Sequence, residues 1–126
     1  MDKLATKQLP PGHHPPDIQL EAPIILRGAN GNRSGEITIS YEPSDRLICA
    51  RGLVGWLRCF KQPLTCEAAV LIVADAIFEM LRPIYVEVLI SMSIAGVTVT
   101  AIKRLERPVQ TGLAAAVDSS RKAGDA

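Results

Sequence analysis

The sequence lacks a long apolar run. Its longest one, Ala68–Ala74, is followed by Asp75, whereas a membrane-spanning helix needs roughly 20 predominantly apolar residues. Residues 1–16 contain no apolar segment of the kind found in secretory signals. We therefore expect a cytoplasmic protein without a membrane partner.

Cysteine and net charge are also scarce. The three cysteines, Cys49, Cys59 and Cys66, are odd in number and form no C-x-x-C spacing, which argues against a disulfide framework and a zinc site. The net charge is only +1, so no strong global field draws the chain to nucleic acid, and direct nucleic-acid binding is not expected. No metal site is predicted.

Proline marks the ends of the predicted domain. A chain of 126 residues is long enough for one domain, which we place at residues 17–106. Residues 1–16 are rich in proline and include the His13-His14 pair, so we expect a flexible arm. Residues 107–126 are small and polar, and we expect a flexible tail with at most a short helix at 113–117.

Two β-rich regions flank the middle of the chain. Residues 36–42 alternate apolar and polar side chains, the period of a strand with one buried face. After the turn residues Pro43 to Asp45, residues 46–52 are expected to pair with that strand in an antiparallel hairpin. The earlier residues 18–26 are expected to add a strand or an edge segment.

Helices are predicted between these regions. Residues 53–60 suggest a short helix with the single tryptophan, and Thr65 is the expected N-cap of a longer helix that ends near Leu81, before Pro83. Residues 84–94 and 97–104 then form a second predicted hairpin. The expected class is α+β.

The longer helix has one narrow polar stripe. Asp75, Glu79 and Arg82 fall within about 60° of one another on a helical wheel, and the rest of the surface is apolar. One small chain offers too few strands to cover that surface. We therefore expect a homo-oligomer, in which sheet edges of sister subunits join into a barrel with the helices outside.

Three segments carry a resemblance to a known family: "EITISYEPSDRLICARGLVGWLRCFKQ", "TCEAAVLIVADAIFEMLRPIYVEV" and "ISMSIAGVTVTAIKR". Together they resemble the tunnelling-fold proteins, and most closely the QueF-type nitrile reductases. Those enzymes reduce 7-cyano-7-deazaguanine with NADPH on the queuosine pathway of tRNA modification. The resemblance spans Gln19 to Arg104 and implies a β-β-α-α-β-β unit, with an antiparallel sheet and helices on one face, which assembles into an oligomeric barrel.

The resemblance also implies a ligand site. In tunnelling-fold proteins a glutamate at the head of this helix anchors the ring N–H and exocyclic amine of a purine-like or pterin-like ligand, and Glu67 occupies that position. A carboxylate offers two acceptors to two adjacent donors. The alternative is structural, since an acidic residue in the first turn also interacts favourably with the helix dipole.

The sequence departs from the reductase family at the residues that carry the chemistry. The family nucleophile is a cysteine in the loop before the "ISY" strand, but "APIILRGANGNRSGE" contains none, and Asn32 or Arg33 replaces the aspartate that follows it. In the NADPH motif, Arg51 could replace one lysine, whereas the other charges are missing. We therefore expect no ordinary nitrile reduction.

Three hypotheses remain open. The chain is a degenerate QueF-like protein that keeps a purine, deazaguanine or pterin site, an active enzyme on such a ligand, or a purely structural oligomer. Cys66 is the one alternative nucleophile with a physical argument, because a helix N-terminus lowers the pKa of a thiol. A cysteine among apolar residues is, however, more often a small buried hydrophobic residue.

Overall fold

The computed structural model describes residues 4–10, 12, 15–28, 31–60 and 64–108. Within these ranges the chain forms six strands and two helices. In chain order they are β1 (Thr6–Gln8), β2 (Ile18–Gly28), β3 (Gly31–Glu42), β4 (Arg46–Ile48), α1 (Ala50–Leu57), α2 (Cys66–Leu81), β5 (Tyr85–Ile94) and β6 (Val97–Glu106). The predicted β-β-α-α-β-β order is therefore confirmed in β2, β3, α1, α2, β5 and β6.

The main sheet has four antiparallel strands in the order β2-β3-β5-β6. The β5–β6 hairpin turns at Ala95 and Gly96, whose φ angles are 52° and 80°. Two successive positive φ angles are typical of a two-residue hairpin turn that matches the twist of its strands. The second predicted hairpin is therefore confirmed, and residues 18–26 belong to an edge strand.

The core lies on one face of this sheet. Alternate residues of β2, β3 and β5 point into it, as the period of two requires. They pack with the inner sides of both helices, and the most deeply buried members include Ile37, Ile39, Val73, Ile77, Val88 and Ile90. Both helices therefore cover the same face, and the opposite face carries the polar residues of the alternation.

Helix α2 begins and ends where the sequence predicts. The Thr65 hydroxyl accepts a hydrogen bond of 3.1 Å from the Ala68 N–H, which is the N-cap arrangement. At the other end Arg82 adopts the left-handed conformation and Pro83 follows, so the helix stops at Leu81. Asp75, Glu79 and Arg82 are exposed, which confirms the polar stripe.

The predicted pairing of residues 46–52 with β3 is wrong. Both edges of β3 are already occupied, by β2 and by β5. The short strand β4 pairs instead with β1 in a separate two-stranded sheet, and the chain enters α1 at Ala50. The Ile48 N–H does contact β3, but through a hydrogen bond of 2.9 Å to the buried Tyr41 hydroxyl.

Part of the predicted flexible arm is packed against the domain. Leu4 is buried in the core, β1 pairs with β4, and the Cys49 N–H donates to the Ala5 carbonyl at 2.9 Å. Residues 4–8 therefore contact the domain, and the flexibility of the arm stays a prediction. His13, His14 and the predicted helix at 113–117 lie outside the described residues, and the division at residues 16 and 106 stays a prediction.

Gly35 is required by a close approach of β5 to β3. A Cβ at this position would lie 2.4 Å from the Ser91 carbonyl oxygen and 2.6 Å from Met92 Cγ. We expect Gly35→Ala to lower the free energy of unfolding by roughly 1–3 kcal/mol, because the backbone of β5 must move. Chemical denaturation measures the change.

Gly55→Ala is the matched control. Nothing lies within 4 Å of a Cβ at Gly55, and alanine favours a helix over glycine by roughly 0.5–1 kcal/mol. This variant should therefore be at least as stable as the wild type. Equal stability of the two variants would contradict the predicted close approach.

Candidate functional site

Glu67 lies in the first turn of α2 with its side chain exposed to solvent. The preceding Thr65 cap begins the helix, and the helical rotation of about 100° per residue turns Glu67 outward while Cys66 faces the core. Glu67 forms no ion pair with the described part of the chain. Its carboxylate is therefore available for a ligand.

A shallow groove of about 460 Å³ opens beside Glu67. It runs between the start of α2 and the middle of β6. Its walls are formed by Glu67, Val70, Leu71, Val99, Thr100, Ala101 and Ile102. The groove thus combines one carboxylate with a largely apolar lining, because the hydroxyl of Thr100 is directed to Ser91 on the other face of the sheet. One charged group among apolar walls suits a largely apolar ligand with a polar edge.

The position of α2 over the sheet creates this groove. Every second side chain of β5 beneath the helix is fully buried, but the corresponding residues of β6, Val99, Ala101, Lys103 and Leu105, are only half-buried. The helix therefore covers β5 completely and β6 in part. In the described sheet β6 is an edge strand, so the groove lies next to backbone groups that no neighbouring strand pairs.

Cys66 is adjacent to Glu67 in sequence but points about 100° away from it around the helix, into the core. Its side chain is buried, and its thiol donates a hydrogen bond of 3.6 Å to the Ile90 carbonyl. Burial, and secondarily the negative charge of Glu67, raise the pKa of the Cys66 thiol. The direction is opposite to the lowering expected from the helix N-terminus, because burial disfavours the charged thiolate.

A catalytic role for Cys66 thus stays a prediction. The environment of its side chain argues against that role. A nucleophilic cysteine reacts as the thiolate and must reach its substrate. The structure gives a neutral thiol that faces the core and does not line the groove.

Arg51, the predicted cofactor residue, lies elsewhere. It is exposed on α1, and it is not among the residues that line the groove of Glu67. Arg51 lies on a helix, because Leu53, Trp56 and Leu57 follow helical spacing and pack inward. Cofactor binding by Arg51 stays a prediction.

The segment that would carry the reductase nucleophile is a β-hairpin. Residues 18–28 and 31–42 form the long strands β2 and β3, with Asn32 and Arg33 exposed near the turn. Within the described ranges, no group of three or more histidine, cysteine or acidic side chains is arranged to hold a metal ion. None of the described helices is long and apolar enough to span a bilayer.

The sequence pointed to Glu67 but missed the apolar walls of its groove. The available signal was the alternation of Val97, Val99 and Ala101 in β6, which indicates the side facing the helix. That alternation does not reveal which helical turn lies opposite. The partners Val70 and Leu71 therefore required the tertiary structure.

The architecture matches the fold that the sequence predicts. A four-stranded antiparallel sheet, with two helices inserted between its hairpins and packed on one face, is the tunnelling-fold unit predicted from the sequence. Among solved structures, the chain is similar to the archaeosine synthase QueF-Like in its apo form, with a TM-score of 0.69 and 14% sequence identity. The match covers 75% of this chain and 98% of that one, so the QueF-like fold is confirmed.

Sequence comparisons give no further relationship. No family model matches the chain, and no curated protein matches it. At 14% identity the structural similarity establishes the fold alone.

We expect Cys66 to be unreactive in the folded protein. Iodoacetamide at mildly alkaline pH should label the half-exposed Cys49 and Cys59 first, and Cys66 only after denaturation, because the buried thiol resists both deprotonation and contact with the reagent. Peptide mass mapping measures each site. Labelling of native Cys66 as fast as that of Cys49 would restore it as a candidate nucleophile.

Proposed function

We propose that this chain is a QueF-like tunnelling-fold protein that binds a purine-like, 7-deazaguanine-like or pterin-like ligand through Glu67 and lacks nitrile reductase activity. The observation that carries the proposal is the exposed Glu67 carboxylate at the wall of an apolar groove. The fold that the chain shares with the archaeosine synthase QueF-Like supports it.

The chemistry of the groove fits a fused heterocycle. Its edge would present a ring N–H and an exocyclic amine to the two oxygens of Glu67, and its faces would contact side chains such as Leu71 and Val99. A charge-assisted pair of this kind is stronger than one between neutral groups, and the apolar walls limit competition from water.

The absence of nitrile reduction follows from the missing nucleophile. No cysteine precedes β4 in the sequence. The cysteine nearest to Glu67 in sequence, Cys66, faces the core and so does not replace the missing nucleophile. The chain should show neither NADPH oxidation with 7-cyano-7-deazaguanine nor a covalent thioimide adduct by intact mass. Either signal, if abolished by Cys66→Ala, would favour an active enzyme on the queuosine pathway instead.

The same proposal includes a homo-oligomer. Strands β2 and β6 are the two edges of the described sheet, and Leu71, Val97 and Ile102 are 46%, 61% and 59% exposed in the single chain. A long edge strand with exposed apolar residues tends to pair with another chain. A subunit placed at the β6 edge would also enclose the groove of Glu67.

We therefore expect the protein to elute well above its monomer mass of 13.6 kDa. The association should persist in moderate salt, because hydrophobic burial and backbone pairing are not screened as surface charges are. Size-exclusion chromatography with light scattering measures the mass. A monodisperse monomer at micromolar concentration would exclude this part of the proposal.

The decisive variant is Glu67→Gln. The amide keeps the shape of the side chain but turns one acceptor into a donor that faces the ligand's own N–H. Loss of the charge-assisted pair, worth roughly 1.5–3 kcal/mol, should weaken binding about tenfold or more. A thermal-shift screen with deazaguanines, guanine and pterins identifies the ligand, and titration calorimetry on both proteins measures the affinity.

Asp75→Asn is the matched control, since it removes an exposed carboxylate from the same helix outside the groove. It should leave ligand affinity unchanged. If Glu67 only complements the helix dipole, Glu67→Gln should cost no more than roughly 0.3–1 kcal/mol of stability and alter no ligand response. A wild-type protein whose melting temperature responds to none of these compounds would reject the proposed ligand class.

A further inference from the structure

The C-terminal residues of the chain start from the end of the domain that adjoins the C-terminus of α2. Strand β6 ends at Glu106, and the Arg107 N–H then donates to the Ile84 carbonyl at 2.9 Å. The Arg107 guanidinium also donates to the carbonyl of Arg82, the C-cap residue of α2. Residues 109–126, which we call the tail, therefore begin close to the end of this helix.

Helix α2 and strand β6 run in the same direction. At the start of the helix the Cys66 thiol donates to the Ile90 carbonyl, and Ile90 pairs with Ala101 in the middle of β6. At its end the helix meets Arg107, just beyond β6. A chain that turns back from Arg107 along α2 therefore passes Leu71, an apolar wall of the groove, before it reaches Glu67.

The tail carries an apolar and a basic group in the same order. Leu113, Val117 and Arg121 are spaced by four residues, a spacing that would place them on one side of a helix. Leu71 and Glu67 are also four residues apart on α2. In an antiparallel arrangement, Val117 therefore lies opposite Leu71 when Arg121 lies opposite Glu67.

The tail is long enough to reach the groove of its own chain. At 1.5 Å per residue, Leu71 and Glu67 lie about 16 and 22 Å from Arg82 along the axis of α2. Residues 108–112 span up to about 17 Å when extended, and a helical segment from Leu113 to Arg121 adds about 12 Å. Glu67 is thus within reach without full extension.

Arg121 also matches the chemistry of the Glu67 carboxylate. A guanidinium presents two parallel N–H donors that fit the two oxygens of a carboxylate. The ligand proposed for the groove would present the same pair of donors as a ring N–H and an exocyclic amine. Glu67 forms no ion pair with the described part of the chain, so this pairing displaces no other contact of that kind.

We propose that the tail occupies the groove of its own chain, with Val117 packed on Leu71 and Arg121 paired with Glu67, and that a ligand must displace it. The displacement rests on the function proposed for Glu67, whereas the occupancy by the tail does not. The tail lowers the apparent ligand affinity in proportion to the fraction of molecules whose groove is closed. It thereby regulates the site.

Disulfide trapping with the full chain tests the occupancy. Leu71→Cys/Val117→Cys, with Cys49→Ser/Cys59→Ser as background, should form a disulfide within one chain on mild oxidation. The matched control pairs Val117→Cys with Ile25→Cys in the same background. Ile25 is 45% exposed and Leu71 46%, but Ile25 lies in β2, at the other edge of the sheet. The Leu71 pair should react at least about tenfold faster, because docking raises the effective concentration of the two thiols.

The charge pair is tested in the same trapping variant. Glu67→Gln should slow disulfide formation about threefold, as expected from the loss of an exposed ion pair. Arg121→Gln should slow it equally, and the two changes together should have little further effect, because they remove one shared interaction. Asp75→Asn, which removes a carboxylate of α2 outside the groove, should leave the rate unchanged.

Ligand affinity tests the regulation. With the compound identified in the thermal-shift screen, Arg121→Gln in the otherwise unchanged chain should raise the affinity about threefold, because it weakens the competing tail. Lys122→Gln is the matched control, since it removes the same charge from the adjacent position. It should bind the ligand as the wild type does. Titration calorimetry measures both.

Four results separate the proposals. Equal trapping rates for the Leu71 and Ile25 pairs would overturn the occupancy of the groove by the tail. Disulfides that form only between chains, seen as dimers on a non-reducing gel, would assign the groove to the tail of another copy and overturn it too. Trapping that Glu67→Gln does not slow would overturn the Arg121 pair. Fast trapping in a protein that binds none of the compounds would support the docked tail and reject the proposed ligand class.

Discussion

The packing of α2 across β5 is the contact on which the rest of the structure depends. Val73, Ala74 and Ile77 are fully buried against the equally buried Val88 and Ile90. Burial of each large side chain contributes roughly 1.5–3 kcal/mol, and the small Ala74 lets the helix approach the sheet closely. This contact fixes the rotation of the helix, and the rotation decides which residues of its first turn reach solvent.

The candidate site is a consequence of that packing. The helix lies across β5 and β6, but β6 is the edge of the described sheet and its outer part stays partly uncovered, so the groove forms along this margin. The same rotation directs Glu67 to the groove and Cys66 to the core, although the two are neighbours in sequence. Their chemistry differs accordingly: the carboxylate is hydrated and accessible, whereas burial raises the pKa of the thiol. The family resemblance made Glu67 a candidate, and the position at the helix N-terminus made Cys66 one.

Local signals predicted most of the elements correctly. The cap at Thr65, the stop before Pro83 and the Ala95-Gly96 turn depend on a few consecutive residues, so their sequence determines them. The pairing partner of β4, by contrast, does not depend on neighbouring residues. A three-residue strand has little pairing preference of its own, and β1 becomes its partner because β2 and β5 already occupy the edges of β3. That competition involves strands far apart in the chain.

The sequence by itself determined the alternation of the strands, the limits of α2, the α+β class and the position of Glu67 at a helix head, because each depends on neighbouring residues. Only the tertiary structure decided that β1 packs on β4, that Val70 and Ile102 share a groove, and that Cys66 is buried. These properties depend on which distant segments come together, and burial and electrostatic fields follow from distances in space and not along the chain.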